Sequence, residues 1–207
     1  MTLRGIEHLI GEKIHFSIGF VANAQNYLNL NEVYGFAKAK KIDGLHIMRG
    51  MPKGRALSHW KDFVLTNEQW VDTVKRVRDF ANPDEIPKLQ IDGTYEYDNS
   101  TELLGKCVSG CEAGRYELTF LPNGDIVPCD MFHKWILGNI KDVDLEDLWL
   151  NNSVLNRFRD IDQSIEGKCR ECEVDFCNGC RYQALILNGG FEKSDPFCVR
   201  EELRKNE

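Results

Sequence analysis

Apolar positions in the first ninety residues alternate between a helical period and a period of two. From Thr2 to Lys13, Leu3, Ile6, Leu9 and Ile10 make one helical stripe, and Ile14 to Val21 then reads IHFSIGFV. The alternation puts Ile14, Phe16, Ile18 and Phe20 on one face of a strand and leaves the smaller, more polar His15, Ser17 and Gly19 on the other. A helix is predicted from about Leu30 to Lys41, opened by Asn29 with Glu32 at capping-box spacing and carrying Val33, Phe36 and Ala37 inward. Gly44 to Arg49 reads as a second strand, followed by a Gly/Pro-punctuated basic loop from Arg49 to Ala56. The next helix starts after Thr66, paired with Gln69 as Thr-x-x-Gln, and turns Trp70, Val74, Val77 and Phe80 or Ala81 toward a core. Leu89 to Ile91 makes a short third strand. Strand, helix, strand, helix, strand at these spacings implies right-handed crossovers and a parallel sheet. Three such strands cannot close a barrel and leave hydrogen-bonding edges uncovered, so further strands are expected ahead of them.

From Thr94 the pattern changes to turns, cysteines and acidic helices. Tyr116 to Cys129, YELTFLPNGDIVPC, holds two short alternating runs around Pro122-Asn123-Gly124, a hairpin signal because Asn-Gly tolerates positive φ. Asp144 then caps a helix through Asp147, with Leu145, Leu148 and Trp149 facing in, and Val154, Leu155 and Phe158 extend the apolar set to about Asp162. A short helix from Arg181 to Asn188 ends at Gly189-Gly190. The expected organisation is an α/β domain over residues 1–95 and a small cysteine-rich α+β domain with a β-hairpin over 96–207.

A chain of 207 residues that is 42% apolar and 29% charged can bury a real core. Its formal charge of -7 argues against a nucleic-acid groove, which needs a basic excess. No stretch approaches the ~20 apolar residues of a membrane span and the Met1 region has no apolar signal core, so the chain is expected in the cytoplasm. There, its eight cysteines read as metal ligands rather than disulfides.

Four of those cysteines, Cys169, Cys172, Cys177 and Cys180, fall in twelve residues, too dense for packing alone. Cys107, Cys111, Cys129 and Cys198 complete eight, the ligand count of two tetra-thiolate sites. Tetrahedral sulfur serves zinc and iron–sulfur cubanes alike. The four residues between Cys172 and Cys177 suit wrapping a bulky cubane better than a zinc knuckle pair, and zinc and redox thiols stay as alternatives.

The order Cys111-x12-Gly124-x4-Cys129, then Cys169-x2-Cys172-x4-Cys177-x2-Cys180, then Cys198 in a DPFC setting, resembles the SPASM domain that follows the barrel of many radical SAM peptide-maturing enzymes. NGDIVPCD resembles that family's hairpin and CNGCRY its glycine-cysteine-arginine turn. Upstream, FSIGFVAN, DGLHIMRGMPKGRA and the Thr66 helix resemble the second half of the radical SAM partial barrel, so the likeness covers nearly the whole chain. It implies two auxiliary 4Fe-4S clusters, one on Cys107, Cys111, Cys129 and Cys180, the other on Cys169, Cys172, Cys177 and Cys198. The family's commoner spacing in the knot is x5 then x3; here it is x4 then x2.

The resemblance also implies site residues. Asp130, directly after Cys129, is similar in position to the carboxylate with which sulfatase-maturing relatives take a proton from substrate. Ser17 and Asn23 stand where family members contact S-adenosylmethionine, and Arg49 is placed to meet that cofactor's carboxylate or ribose. Lys168, Arg170 and Arg181 flank the ligands, where they would offset a cubane's charge of about -2. The family's CX3CX2C loop, which leaves one iron open for S-adenosylmethionine, is absent from these 207 residues. The expected function is therefore the latter part of a radical SAM/SPASM enzyme acting on a peptide or protein. A partner chain or preceding segment would carry the CX3CX2C half-barrel, S-adenosylmethionine would bind only once that half is present, and a ferredoxin or flavodoxin would donate electrons. A non-catalytic iron–sulfur carrier or scaffold, and a zinc-binding interaction module, are the readings from other classes.

Overall fold

The computed structural model describes residues 2–82, 84–91, 110–173 and 177–204, and Cys107 lies outside them. The chain forms two compact units, Met1–Cys107 with Cys198–Glu207, and Val108–Phe197.

In the first unit, α1 (Thr2–Gly11) buries only Ile6 of its predicted stripe, while Leu3 is 63% exposed. The parallel sheet forms as the pattern requires: β1 (Ser17–Ala22) pairs with β2 (Gly44–Arg49), which pairs with β3 (Lys88–Ile91). The strand begins later than expected. Ile14 lies ahead of it and is exposed, because the chain there is held by Asp43, which accepts from the Phe16 N–H at 2.8 Å and bonds the His15 ring at 3.0 Å. Beyond that point the alternation holds, with Phe20 and Ala22 buried and Ser17, Gly19 and Val21 exposed on the opposite face. Ser17 sits across from Gly44 in the register, and a Cβ at Gly44 would collide with its hydroxyl, so glycine keeps this face low.

Helix α2 (Leu30–Ala39) lacks the predicted side-chain cap. Tyr27–Asn29 already form a 3-10 turn, which leaves Asn29 at φ -81°, ψ 2° instead of the extended geometry a capping residue adopts. Leu30 and Ala37 are buried, whereas Val33 and Phe36 are half-buried. From the end of the basic loop run two single helical turns that periodicity did not reveal, α3 (Arg55–Ser58) and α4 (Trp60–Phe63). Helix α5 (Asn67–Phe80) carries the full capping box: Thr66 Oγ1 accepts from the Gln69 N–H at 3.1 Å and Gln69 Oε1 from the Thr66 N–H at 2.9 Å. Trp70, Val71, Val74 and Val77 bury against Phe20, Leu45, Ile47 and Ile91. Thr66→Ala is expected to cost about 1 kcal/mol and Thr66→Ser much less, read as the shift in urea midpoint at constant slope. An unshifted midpoint for the alanine variant would remove the cap from the account of this helix.

In the second unit, β4 (Thr119–Phe120) and β5 (Asp125–Val127) make the predicted antiparallel hairpin, with Gly124 at φ +90° in its turn. A third strand, β6 (Gly138–Asn139), adds to β5; two residues are too few to show alternation. The acidic helix is two helices. α6 (Leu145–Asn151) is capped by Asp144, which accepts from the Asp147 N–H at 2.9 Å, but the chain breaks at Asn152. Asn152 Oδ1 accepts from the N–H groups of Val154 and Leu155 and starts α7 (Ser153–Arg159). Leu148, Leu155 and Phe158 are buried as expected; Leu145 is exposed and Trp149 half-buried under the Arg159 guanidinium, 4.8 Å from its ring. α8 (Arg181–Asn188) ends on Gly189 in the left-handed conformation. Last, α9 (Arg200–Arg204) groups with the first unit, where Val199 and Leu203 join the core around Trp70. The tail thus groups with the first compact unit through apolar burial. Among the described residues no helix is long and apolar enough to cross a membrane.

Candidate metal centre

The second unit is built around an aromatic cluster with thiols on it. Phe132 meets Phe158 at 5.3 Å and Tyr182 at 5.4 Å, both edge-on, and Phe158 meets Phe191 at 4.9 Å. Cys129 is buried in this cluster, and Cys111, Cys169 and Cys180 pack against it. The hairpin brings in Cys129, the following 3-10 turn (Asp130–Phe132) seats Phe132, and Cys180 stands at the start of α8.

Short polar side chains tie the cysteine segments together. Asn178, itself buried, accepts the Cys111 N–H on Oδ1 at 2.9 Å and so binds the strand-side loop to the Cys177–Cys180 turn. Asp195, also buried, accepts the Cys180 N–H on Oδ2 at 2.8 Å, and its own N–H donates to the Cys169 sulfur at 3.4 Å. Ser194 Oγ accepts the Cys169 N–H at 3.1 Å. Gly179 permits this closure: it sits at φ +64°, and a Cβ there would come within 2.6 Å of Asp195 Cβ.

Burial pushes all three inner thiols up, Cys129 to about 11, Cys180 to about 12, and Cys111 in the same direction. The protein backbone works the other way. Nearby backbone N–H groups, of Ala113 and Arg181 for Cys111, Met131 and Phe132 for Cys129, and Tyr182 and Gln183 for Cys180, partly offset this rise. Cys129 and Cys180 make no side-chain cap hydrogen bond, so these N–H groups act as nearby dipoles. A pocket that disfavours bare thiolates yet sets N–H dipoles near each sulfur fits thiolates whose charge is met by a bound cation. Backbone N–H groups aimed at sulfur are also the environment that tunes iron–sulfur clusters. None of the seven described cysteines is in a disulfide. Among the described residues no group of three His, Cys, Asp or Glu side chains is arranged to hold a single metal ion.

The remaining predicted site residues are distributed as follows. Cys172 and Cys177 are half-buried in the same segment of the second unit; Cys198 is half-buried and belongs to the first. Asp130 is exposed beside Cys129, and its N–H is directed at the Glu117 carboxylate. Burial, and secondarily the nearby Asp130 and Glu112 carboxylates, raise Glu117 above the ordinary carboxyl range. The sequence reading missed Glu117, Asn178 and Asp195. Asn178 and Asp195 were visible only as letters inside CNGC and DPFC, and nothing in YELTF distinguishes Glu117 from a solvated strand residue.

Ser17 and Arg49 are on opposite faces of the parallel sheet. Ser17 is on the exposed small-residue face, whereas Arg49, paired with Ala22, is on the buried face, donating to the Leu65 carbonyl at 2.7 Å and Asn67 Oδ1 at 3.0 Å. Asn23 closes the turn after β1: its Oδ1 accepts the Gln25 N–H at 2.9 Å. The structure thus brings Cys111, Cys129, Cys169 and Cys180 onto one aromatic cluster and does not bring Ser17 and Arg49 onto one surface.

Residues 111–173 match the SPASM family, described as an iron-sulfur cluster-binding domain. The PqqA peptide cyclase of Rhizobium meliloti is 35% identical over 104 residues, covering 47% of this chain and 27% of the relative. The AdoMet-dependent heme synthase of Methanosarcina barkeri is 23% identical over 222 residues, covering 99% of this chain and 61% of the relative. The solved structure of a polyhistidine-tagged anSMEcpe with bound AdoMet shares the fold at a TM-score of 0.70 and 23% identity, over 97% of this chain and 54% of the other. The chain thus spans under two thirds of the length of each.

Proposed function

We propose that this chain, whose residues 111–173 match the SPASM family and whose fold is shared with AdoMet-bound anSMEcpe, is the part of a radical SAM/SPASM enzyme that holds two auxiliary 4Fe-4S clusters and presents a peptide or protein substrate to them. The observation that carries this is the gathering of Cys111, Cys129 and Cys180, from three separate segments, onto one aromatic cluster, where burial raises each thiol. Cys107 completes the first ligand set, and Cys169, Cys172, Cys177 and Cys198 form the second. The peptide substrate class is supported by the name of the PqqA peptide cyclase; a heme synthase among the relatives sets the competing small-molecule class.

When bound, the clusters supply one-electron relay. The protein's own residues do the rest. Asp130, exposed next to Cys129, takes the proton that the substrate loses, and Glu117 fixes its backbone. Ser17 on the open sheet face and Asn23 at its end contact S-adenosylmethionine; Arg49 serves by holding the segment before α5 in place. The CX3CX2C motif, absent from these 207 residues, comes from a preceding segment or a partner chain, and a ferredoxin or flavodoxin supplies the electrons. We assign the work to the cytoplasm.

Anaerobic purification should yield a brown protein with about eight irons and eight sulfides per chain. A colourless protein with two zinc ions would replace this reading with a zinc-stabilised module. With dithionite and S-adenosylmethionine, this chain alone should form no 5'-deoxyadenosine, and activity should appear on adding the CX3CX2C half. An iron-loaded chain that stays inert with that half present would be an electron carrier or scaffold. In the completed enzyme, Asp130→Asn should lower turnover by roughly 10²–10⁴-fold with iron content unchanged, as loss of a general base does. Full turnover in that variant would remove Asp130 from the chemistry.

A further inference from the structure

Arg181 is the one basic residue flanking the ligands that is fully buried, at 0% exposure, among the described residues. Its Nη1 donates to the Phe191 and Lys193 carbonyls, both at 2.8 Å. Its Nε and Nη2 are buried with no hydrogen-bond partner among the described residues. A buried guanidinium left with idle donors is strongly unfavourable unless an anion meets it. Nη2 is 3.1 Å from where a Gly179 Cβ would stand, on the turn between Cys177 and Cys180, and the guanidinium's charge reaches the Cys111 sulfur. The neighbouring Asp195 carboxylate accepts the Cys180 N–H on Oδ2 and the Phe197 N–H on Oδ1, and Arg181 Nε and Nη2 stay without a bond among the described residues.

Resting on the cluster reading above, we propose that Arg181 sets the reduction potential of the cluster that Cys111, Cys129 and Cys180 would hold, its buried guanidinium with idle Nε and Nη2 donors supplying the nearby positive charge. One-electron reduction by dithionite adds a negative charge beside the guanidinium and moves no proton or bond. The buried cation stabilises that added charge and raises the potential, as hydrogen bonding and nearby charge do at such centres.

The test uses the anaerobically purified holoprotein. Arg181→Gln should keep about eight irons and shift the reduction equilibrium of one cluster at least tenfold toward the oxidised form, ~59 mV for a one-electron couple, in a mediated titration followed by EPR. Arg181→Lys keeps the charge without the fork and should shift it less. Full iron with unchanged potentials in Arg181→Gln would overturn the proposal. Should either variant fail to assemble, the unmodified protein still decides. With arginine labelled with 15N at the Nη positions, pulsed EPR of the reduced protein should detect a guanidinium coupling that survives Arg170→Lys, and absence of that coupling would equally overturn the proposal. A wild-type protein without an iron–sulfur chromophore would instead sink the cluster reading, and the inference with it.

Discussion

Replacing Cys129 and Cys180 together by alanine should halve the iron of the anaerobically purified protein, from about eight to about four per chain, and leave the other cluster's signal in place. Two ligands are removed because three thiolates can still retain a cluster, and the double change leaves too few. The choice of pair follows from the fold. Cys129 is delivered by the hairpin and Cys180 by the start of α8, yet both lie on the aromatic cluster that also carries Cys111. Because such ligand sets are preformed only in the folded chain, binding energy is folding energy, and the variant should also melt earlier. Cys172→Ala with Cys177→Ala should remove the other half of the iron. If the first pair emptied both sites, or neither, the division of ligands would be wrong, and the spacing of the knot points to Cys177 exchanged with Cys180 as the place to correct it.

Phe158→Ala should destabilise the second unit by about 3–5 kcal/mol, the range for truncating a fully buried phenylalanine. The side chain stands edge-on to both Phe132 and Phe191 and lies 6.1 Å from the Trp135 ring, so the cavity is walled by rigid rings that cannot collapse into it. The same rings seat Cys129 and Cys180, so iron retention under oxygen should fall with stability. Denaturant unfolding of the holoprotein gives the measure. A loss under about 1 kcal/mol would mean that the cluster is not close-packed as described.

Much of the fold was legible because local chemistry encoded it. Thr66 with Gln69 marked the start of α5, Asn123-Gly124 the hairpin, and Gly189 the end of α8, and each feature is stabilised by atoms within a few residues of it. Where the reading failed, a distant or competing contact had intervened. Asp43 holds the chain ahead of β1 and leaves Ile14 outside, the 3-10 turn at Tyr27–Asn29 takes over the capping of α2, and Asn152 restarts a helix that periodicity ran together. β6 was too short to carry a pattern.

For the candidate site, the sequence alone determined which atoms are available: eight sulfurs, their order, and the Gly and Asp residues beside them. Only the tertiary structure decided what surrounds those sulfurs. It buried Arg181, which the sequence offered alongside Lys168 and Arg170 as one of three charges flanking the ligands, turned Arg49 to the opposite face of the sheet from Ser17, and gave Asn178 and Asp195 the task of tying the cysteine loops together. Ligand type and spacing are properties of neighbouring residues, whereas burial and charge environment arise from segments far apart in the chain, which no local pattern records.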